Sequence, residues 1–240
     1  MPTNKYILAD MATEKLEREL GMVAKPTPEK IRVLETVLPS GRVRLESTLY
    51  HAEKLKKITI SKRSLGKSVA GTLVMLIADA EYDLPFTLAD IAFDFAEKSK
   101  ISAAFQLRLL VNDEESMKKY VDPFTNWHEA ILKLPSEESP LVAEPGEFMK
   151  ANPPPLRYMR SLPYDCTDQV LKYTEQFFDI FLGIYRKAEP VRDKEQRKKM
   201  DSFRSEFNNH VLGDDPSGQV LTRIFGQEKA RLFYEHFTYL

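Results

Sequence analysis

The chain has 240 residues, of which 42% are hydrophobic and 30% charged, so it can bury a substantial core and is expected to fold as a single domain. Its 35 lysines and arginines nearly balance 36 aspartates and glutamates, and the net charge of -1 favours neither nucleic acid nor a membrane surface as partner. Cys166 is the single cysteine, which excludes a disulfide framework and any metal site built from several thiolates.

The N-terminal half reads as a helix followed by a sheet. Residues 1–5 lack the basic-then-apolar pattern of a signal peptide, and no apolar run approaches the roughly 18 residues of a membrane span, so we expect a cytoplasmic protein. Helical spacing of leucines predicts an amphipathic helix over residues 11–20. Closely spaced segments of β character then indicate an antiparallel sheet. The predicted strands are residues 31–38, 42–50, 55–61, 69–77, 86–95 and 101–111.

The C-terminal half reads mainly as helices. Residues 112–155 are rich in charges and prolines and allow no firm assignment beyond a helix-like stretch at 126–134. Amphipathic patterns predict helices over residues 166–188 and from Lys194 to about 208, and a further helical stretch over 218–239 that breaks near Gly226. Together the patterns predict a central sheet with helices from both ends of the chain packed against it.

Several familiar catalytic patterns are missing from the sequence. It contains no phosphate-cradling glycine loop, no Rossmann fingerprint, no histidine pair at metal-ligand spacing and no nucleophile elbow. These negatives argue against nucleotide chemistry and against serine or cysteine catalysis.

Asp90 interrupts an otherwise apolar predicted strand. It shares one strand face with Phe86, Leu88 and Ala92, so a buried face would leave its carboxylate either paired or shifted towards the protonated form. A proton donor at neutral pH needs such a shift. The ordinary alternative is a solvated aspartate near the end of the strand, or one that is hydrogen-bonded to a turn.

A second acidic site lies between two predicted helices, in Asp214-Asp215-Pro216-Ser217-Gly218. Aspartates in such a place ordinarily serve turns and helix caps. Taken alone, this segment is therefore predicted to be a structural loop.

Six segments form a pattern in their order and spacing: Glu81-Tyr82-Asp83-Leu84-Pro85, Leu88-Ala89-Asp90-Ile91, Ile101-Ser102-Ala103-Ala104, Asp214-Asp215-Pro216, Val220-Leu221-Thr222-Arg223-Ile224-Phe225-Gly226 and the aromatic C-terminus from Phe233 to Leu240. Over roughly residues 43–240 this pattern resembles that of the ferredoxin-dependent bilin reductases.

The resemblance implies a fold and a reaction. The fold is a three-layer α/β/α sandwich with a central, mainly antiparallel sheet, and a linear tetrapyrrole such as biliverdin lies between the sheet and the C-terminal helices. No cofactor is bound permanently; reduced ferredoxin supplies electrons and aspartates supply protons to a bilin radical. We therefore expect Asp90 and Asp215 to converge on one apolar cleft as the catalytic residues. Independently of the resemblance, the sequence has no heptad pattern or obvious exposed apolar stripe, so we expect a monomer by default.

The resemblance also implies residues that hold the substrate. Ser102 and Lys150 match positions that hold a bilin propionate. A lysine does so through its point charge, whereas an arginine would bind through two parallel N–H donors. Ser61 and Leu88 are expected to line the substrate site.

The sequence departs from the family at two kinds of position. Phycocyanobilin-forming members carry a glutamate and a histidine on the strands before the aspartate, and here Ser61 and either Leu73 or Thr72 take those places. This argues against a phycocyanobilin-type product and leaves open which double bond is reduced. Pro216 replaces a basic residue that follows the loop aspartate, which removes one propionate contact.

Two other functions remain open, and a ferredoxin site is expected. A red chlorophyll catabolite reductase-like enzyme would act on a different linear tetrapyrrole, and a non-catalytic bilin carrier would keep the site without the chemistry. An acidic ferredoxin would dock on a basic stretch, although alternating charge on an exposed helix explains the same pattern equally well. The stretch comprises Lys187, Arg192, Lys194, Arg197, Lys198 and Lys199.

Overall fold

The computed structural model describes residues 5–95, 100–139 and 144–240. Within these ranges nine strands form one sheet in which every pair of neighbours is antiparallel. The order is β1-β3-β4-β5-β6-β7-β9-β8, and β2 pairs with β3 beside β1. The strands are β1 (Val23–Lys25), β2 (Val33–Leu38), β3 (Gly41–Ala52), β4 (Leu55–Leu65), β5 (Val69–Ala78), β6 (Phe86–Asp94), β7 (Lys100–Arg108), β8 (Glu137–Glu138) and β9 (Leu156–Pro163).

Helices cover both faces of this sheet. Those described are α1 (Ile7–Leu20), α2 (Glu29–Arg32), α3 (Glu114–Tyr120), α4 (Thr125–Ile131), α5 (Glu147–Ala151), α6 (Thr167–Lys187), α7 (Lys194–Asp214), α8 (Pro216–Phe225) and α9 (Gln227–Phe233), with a π-helical turn at Tyr234–Thr238. The result is the three-layer α/β/α sandwich that the resemblance implies. Among the described residues, no helix combines the length and apolar character needed to cross a membrane.

One face of the sheet, here called the α6 face, packs against α1, α3, α4 and α6. Its centre is aromatic: the ring centroid of Phe105 lies 5.2 Å from that of Trp127 and 5.1 Å from that of Phe177. The indole nitrogen of Trp127 donates to the carbonyl of Tyr173 at 2.8 Å, so its polar atom is satisfied inside the core. This face forms the larger apolar core of the protein.

The other face, here called the C-terminal face, packs against α7, α9 and the π-helical turn. Phe86 of β6 packs on Phe207 of α7, with ring centroids 6.0 Å apart. The end of the chain is fixed to β4, where Thr59 Oγ1 donates to the Phe237 carbonyl at 3.0 Å. Lys57 Nζ donates to the carbonyls of Glu235 and Tyr239 at 2.9 and 2.8 Å. Side chains of β4 thus satisfy carbonyls that a helix end leaves without partners.

Lys57 makes the stability of the protein depend on pH at alkaline values. Burial, aided by nearby lysines, lowers the pKa of Lys57 from 10.5 to about 8. Between those two values the unfolded chain binds more protons at this site than the folded one, so the free energy of unfolding rises with pH. We expect a rise of up to about 3 kcal/mol from this residue, since one pKa unit corresponds to about 1.4 kcal/mol.

Denaturant unfolding of the wild type and of Lys57→Met between pH 7 and 10.5 measures this effect. The difference between their free energies of unfolding should move in favour of the wild type as pH rises above 8. Lys67→Met, which changes an exposed lysine in the β4–β5 turn, is the control and should give a constant difference. A constant difference for Lys57→Met as well would contradict the assignment.

The predicted elements agree with the structure in most of the chain, with shifts at their ends. All six predicted strands are present, although the first begins at Val33 because Glu29–Arg32 forms a helical turn. The break near Gly226 is confirmed, and there the backbone φ of 88° favours glycine. The pattern missed α3 and β9, and it ended α7 too early, at about residue 208 instead of Asp214.

Candidate active site

Within the described residues, an interior part of the C-terminal face is left uncovered by helices. β7 lies between β6 and β9, yet Ser102 is exposed and Ala104 and Gln106 are partly exposed. On the α6 face of the same strand, Phe105 is fully buried. Because side chains alternate between the two faces of a strand, the described helices cover the α6 face of β7 but leave its C-terminal face open from Ser102 to Gln106. We name the uncovered area the open strip; it comprises Asp90, Ser102, Ala104, Gln106, Arg157 and Met159.

Asp90 lies in the middle of β6 and faces the open strip. It pairs with Leu73 of β5 on one side and Ala104 of β7 on the other. Its two carboxylate oxygens each accept a hydrogen bond of 2.7 Å from the guanidinium of Arg63 on β4. The ion pair is half-buried, with 36% of the Arg63 side chain and 21% of the Asp90 side chain exposed. Of the alternatives that the sequence left open for Asp90, the structure therefore shows a paired carboxylate. Asp90 lies away from the strand's end and from any turn.

Ser61 and Leu73 lie on the same row of the sheet as Asp90. Ser61 pairs with Leu73, which in turn pairs with Asp90. Thr72 points to the α6 face because adjacent side chains alternate, so Leu73 is the residue beside the aspartate. Ser61 is buried and its hydroxyl lies 2.7 Å from that of Ser47. Ser61 and Leu73 thus place no ionisable side chain beside Asp90 on its row.

Asp215 combines a structural role with an unusual environment. It caps the N-terminus of α8, where its Oδ1 accepts a hydrogen bond of 2.7 Å from the backbone N–H of Ser217. The cap explanation suggested by the sequence is therefore confirmed. Desolvation nevertheless raises the pKa of Asp215, against the lowering effects of this cap and of the Arg108 guanidinium. A cap that retains its proton to higher pH than an ordinary aspartate is also able to donate that proton.

Arg108 is a buried charged residue near Asp215 that the sequence reasoning missed. It ends β7, is 4% exposed, and donates to the carbonyl of Asn152 beyond α5. Its guanidinium lies over the ring of Phe207, 5.7 Å from the centroid. Burial lowers its pKa to about 10, and the nearby Asp215 opposes that effect. An arginine within the apolar predicted strand 101–111 was the signal that could have identified it.

Asp90 and Asp215 belong to the same face of the sheet but to different places along it. Asp215 lies near Arg108, which pairs with Phe86, whereas Asp90 pairs with Ala104. The two rows are four residues apart, which corresponds to about 13 Å along the strands. Both aspartates thus belong to the C-terminal face, where Asp90 is paired with Arg63 and Asp215 caps α8 near Arg108.

Of the other predicted substrate residues, Leu88 and Ser102 border or line the open strip and Lys150 lies at its far end. Leu88 is partly buried beside Gln106, and Ser102 is exposed next to Ala92. Lys150 is exposed on α5, and its Nζ lies 3.5 Å from Glu147. Ser102 lies near the start of β7, whereas Lys150 lies on α5, just before Asn152, whose carbonyl accepts from Arg108 at the other end of β7.

The end of the face that carries Lys150 is tied to the loop that carries the aspartates. The backbone N–H of Phe148 in α5 donates to Asp214 Oδ2 at 2.8 Å, and the N–H of Gly146 donates to the carbonyl of Asp214, also at 2.8 Å. Asp214 therefore fixes α5 to the end of α7. Asp215, the next residue, is left with its carboxyl group directed towards α8 and Arg108.

Two cavities of the described residues lie away from both aspartates. One, of about 180 Å³, is lined by charged residues that include Asp83 and Lys119. The other, of about 330 Å³, lies near Val23 and His51. Neither is lined by Asp90 or Asp215, so the open strip is the better candidate for a large ligand of this face.

The fold and the strip define a class: a three-layer α/β/α protein with an ionisable group on an uncovered part of its central sheet. A phytochromobilin synthase from tomato, whose structure was solved in complex with biliverdin, shares the fold, with a TM-score of 0.71 and 16% identity over 95% of this chain and 82% of that chain. A 15,16-dihydrobiliverdin:ferredoxin oxidoreductase of Synechococcus sp. (strain CC9605) is 18% identical over 195 residues, covering 81% of each chain.

A family model settles the membership. The model of the ferredoxin-dependent bilin reductases matches residues 9–239. The chain belongs to this family and is a ferredoxin-dependent bilin oxidoreductase.

Proposed function

We propose that this protein binds a linear tetrapyrrole of the biliverdin type along the open strip and reduces one of its double bonds. Two molecules of reduced ferredoxin each give one electron, and Asp90 and Asp215 each give one proton, so that one C=C bond becomes CH–CH. The relatives support this class of substrate: one acts by its name on dihydrobiliverdin, and the other was solved with biliverdin.

The observation that carries the proposal is Asp90. A carboxylate in the middle of an interior strand, 21% exposed and uncovered by any described helix, can accept hydrogen bonds from a ligand that lies flat on the sheet. Pyrrole N–H groups of such a ligand are hydrogen-bond donors, and a carboxylate accepts them well.

The specific substrate, the radical mechanism, the absence of a permanent cofactor and the monomeric state are parts of the proposal. Ser61 and Leu73 leave no ionisable side chain beside Asp90 on its row, so we propose that protons reach the bilin from the two aspartates alone. A bilin carrier is the second candidate, favoured by the same two residues.

Anaerobic mixing with biliverdin tests the proposal. Binding should shift the absorption band of biliverdin, and adding reduced ferredoxin should then bleach it and give a product that chromatography identifies. A shifted band without any bleaching would support the carrier instead, and no shift with either biliverdin or dihydrobiliverdin would contradict both functions.

We further propose that ferredoxin docks at the start of α7. The six residues of the basic stretch are all exposed, although Asp193, Glu195 and Asp201 are interspersed with them. Charge complementarity of this kind accelerates association more than it tightens the final complex.

The double variant Lys194→Glu/Lys198→Glu should therefore raise the KM for ferredoxin about 10-fold at low salt and leave kcat nearly unchanged. Because salt screens surface charges, the effect should shrink at 0.5 M salt. Steady-state assays at varied ferredoxin measure it, and Lys172→Glu on the opposite helical layer is the control. An unchanged KM would place the docking surface elsewhere.

A further inference from the structure

The guanidinium of Arg63 reaches Asp90 across a whole strand. Arg63 pairs with Gly71 of β5, and Gly71 pairs with Ala92 of β6, two residues beyond Asp90 on the same face. β4 and β6 are about 10 Å apart, since neighbouring strands are spaced by about 4.8 Å. The arginine side chain therefore lies over β5 to make its two hydrogen bonds.

Gly71, which pairs with Arg63, carries no side chain that could block this crossing. It has no side chain on the C-terminal face, and a Cβ added there would lie 2.9 Å from the Cβ of Ala92 and from the carbonyl oxygen of Ile91. Such contacts are too close for any other residue without movement of the backbone. Glycine inside a strand often marks a site that another group approaches closely.

The two hydrogen bonds from the Arg63 guanidinium, here called the fork, fix the plane of the Asp90 carboxylate. An ionised carboxylate has about four lone-pair positions, and a bidentate arginine occupies two of them. The other two point away from Arg63. Leu73 stands beside Asp90 on β5 and Ala104 on β7, and neither donates a hydrogen bond from its side chain, so the free positions are left for a ligand.

We propose that Arg63 is a positioning residue for catalysis, which fixes the carboxylate of Asp90 so that it faces the bilin across the open strip. The inference rests on the proposed function and assigns to Arg63 no contact with the bilin itself. The proton that Asp90 gives to the bilin is first taken up from water, at a lone-pair position that the fork leaves free. When this O–H bond breaks and the proton passes to the bilin, the carboxylate is held again by both hydrogen bonds of the fork.

Removing the fork should slow turnover without weakening binding. A misplacement of about 1 Å in a reacting group lowers a rate by about 100-fold, so Arg63→Met should reduce kcat by roughly 10- to 100-fold. The Kd of biliverdin, measured by its absorption shift, should change by less than about 3-fold. Arg63→Lys keeps the charge but not the fork and should recover only part of kcat.

A double-mutant cycle distinguishes positioning from a general loss of structure. If Arg63 acts through Asp90, Arg63→Met should have no further effect on kcat in the Asp90→Asn background. A residue with an independent role would multiply the two losses. All rates are taken per folded molecule, so a merely less stable variant does not imitate the result.

Arg44→Met is the matched control, because Arg44 also makes sheet ion pairs, to Glu35 and Glu46 at 3.2 and 3.0 Å, but away from Asp90. It should keep the wild-type kcat. Three results would each overturn the inference while wild-type turnover remains intact. They are multiplicative losses in the cycle, a Kd for biliverdin raised more than about 30-fold in Arg63→Met, and an unchanged kcat in Arg63→Met. Absence of turnover in the wild type would instead overturn the proposed function, and Arg63's role with it.

Discussion

Asp90→Asn lowers kcat by about 100- to 10,000-fold, the range expected when a positioned proton donor is removed. The variant still binds biliverdin, because asparagine has nearly the same shape and its amide can still contact pyrrole groups. The first electron still arrives, so the reaction should stall at an early bilin radical. Anaerobic single-turnover absorption and electron paramagnetic resonance measure this accumulation.

The control for this prediction is Asp94→Asn, which changes the next aspartate on the same strand and face. We expect wild-type rates from it, since Asp94 lies at the end of β6, about 13 Å from Asp90. The ion pair to Arg63 is half-exposed, and exposed pairs contribute at most about 1 kcal/mol, so Asp90→Asn should remain folded. A wild-type rate in Asp90→Asn would remove it as the proton donor.

Asp215→Asn should have the second large effect. It should lower the rate of the step in which Asp215 donates its proton by about 100- to 10,000-fold. Asparagine caps helices as well as aspartate does, so this variant removes the proton but keeps the cap on α8. Asp215→Ala, which removes both, is the comparison. If loss of the cap were the whole effect, the asparagine variant would be active and the alanine variant would not.

The pH profile adds a second readout for Asp215. Because desolvation raises its pKa, the wild type keeps this proton to higher pH than an ordinary aspartate, and the rate should fall as pH rises through that raised pKa. The residual rate of Asp215→Asn should lack this fall. A profile of the same shape in both proteins would contradict the assignment.

Asp215→Asn should lower the activity of the protein but raise its free energy of unfolding near neutral pH. Above the ordinary pKa of an aspartate the unfolded chain loses this proton before the folded protein does, so the wild type becomes less stable as pH rises through the raised pKa. We expect Asp215→Asn to be more stable than the wild type at pH 7 to 8 and not at pH 3. Denaturant unfolding at both values measures this, and equal stability at both would contradict it.

The sequence predicted the sheet well because its strands carry strong local signals. Apolar residues and short turns alternate from Val33 to Arg108, and each hairpin needs contacts only with its neighbour. β9 was missed because prolines precede and end it, although buried Leu156, Tyr158 and Leu162 alternate with less buried residues. α3 was missed although Asp113 caps it by accepting from the N–H of Ser116 at 2.8 Å.

The candidate site was predictable only in part. Asp90 was conspicuous as a charge inside an apolar strand, and Asp215 was conspicuous only through the resemblance. Arg63 was unreadable, because it lies 27 residues from Asp90 and meets it through the register of three strands. The environment of Asp215 was equally hidden, since Arg108 and Tyr234 come from β7 and the end of the chain.

A crystal structure of the protein with biliverdin measures the central claim directly, since it locates the ligand relative to Asp90. We predict a bilin lying flat on β6 and β7, with at least one pyrrole nitrogen about 3 Å from an Asp90 oxygen and Arg63 still forked on the other side. A bilin bound on the α6 face, or in either cavity that lacks the aspartates, would contradict it.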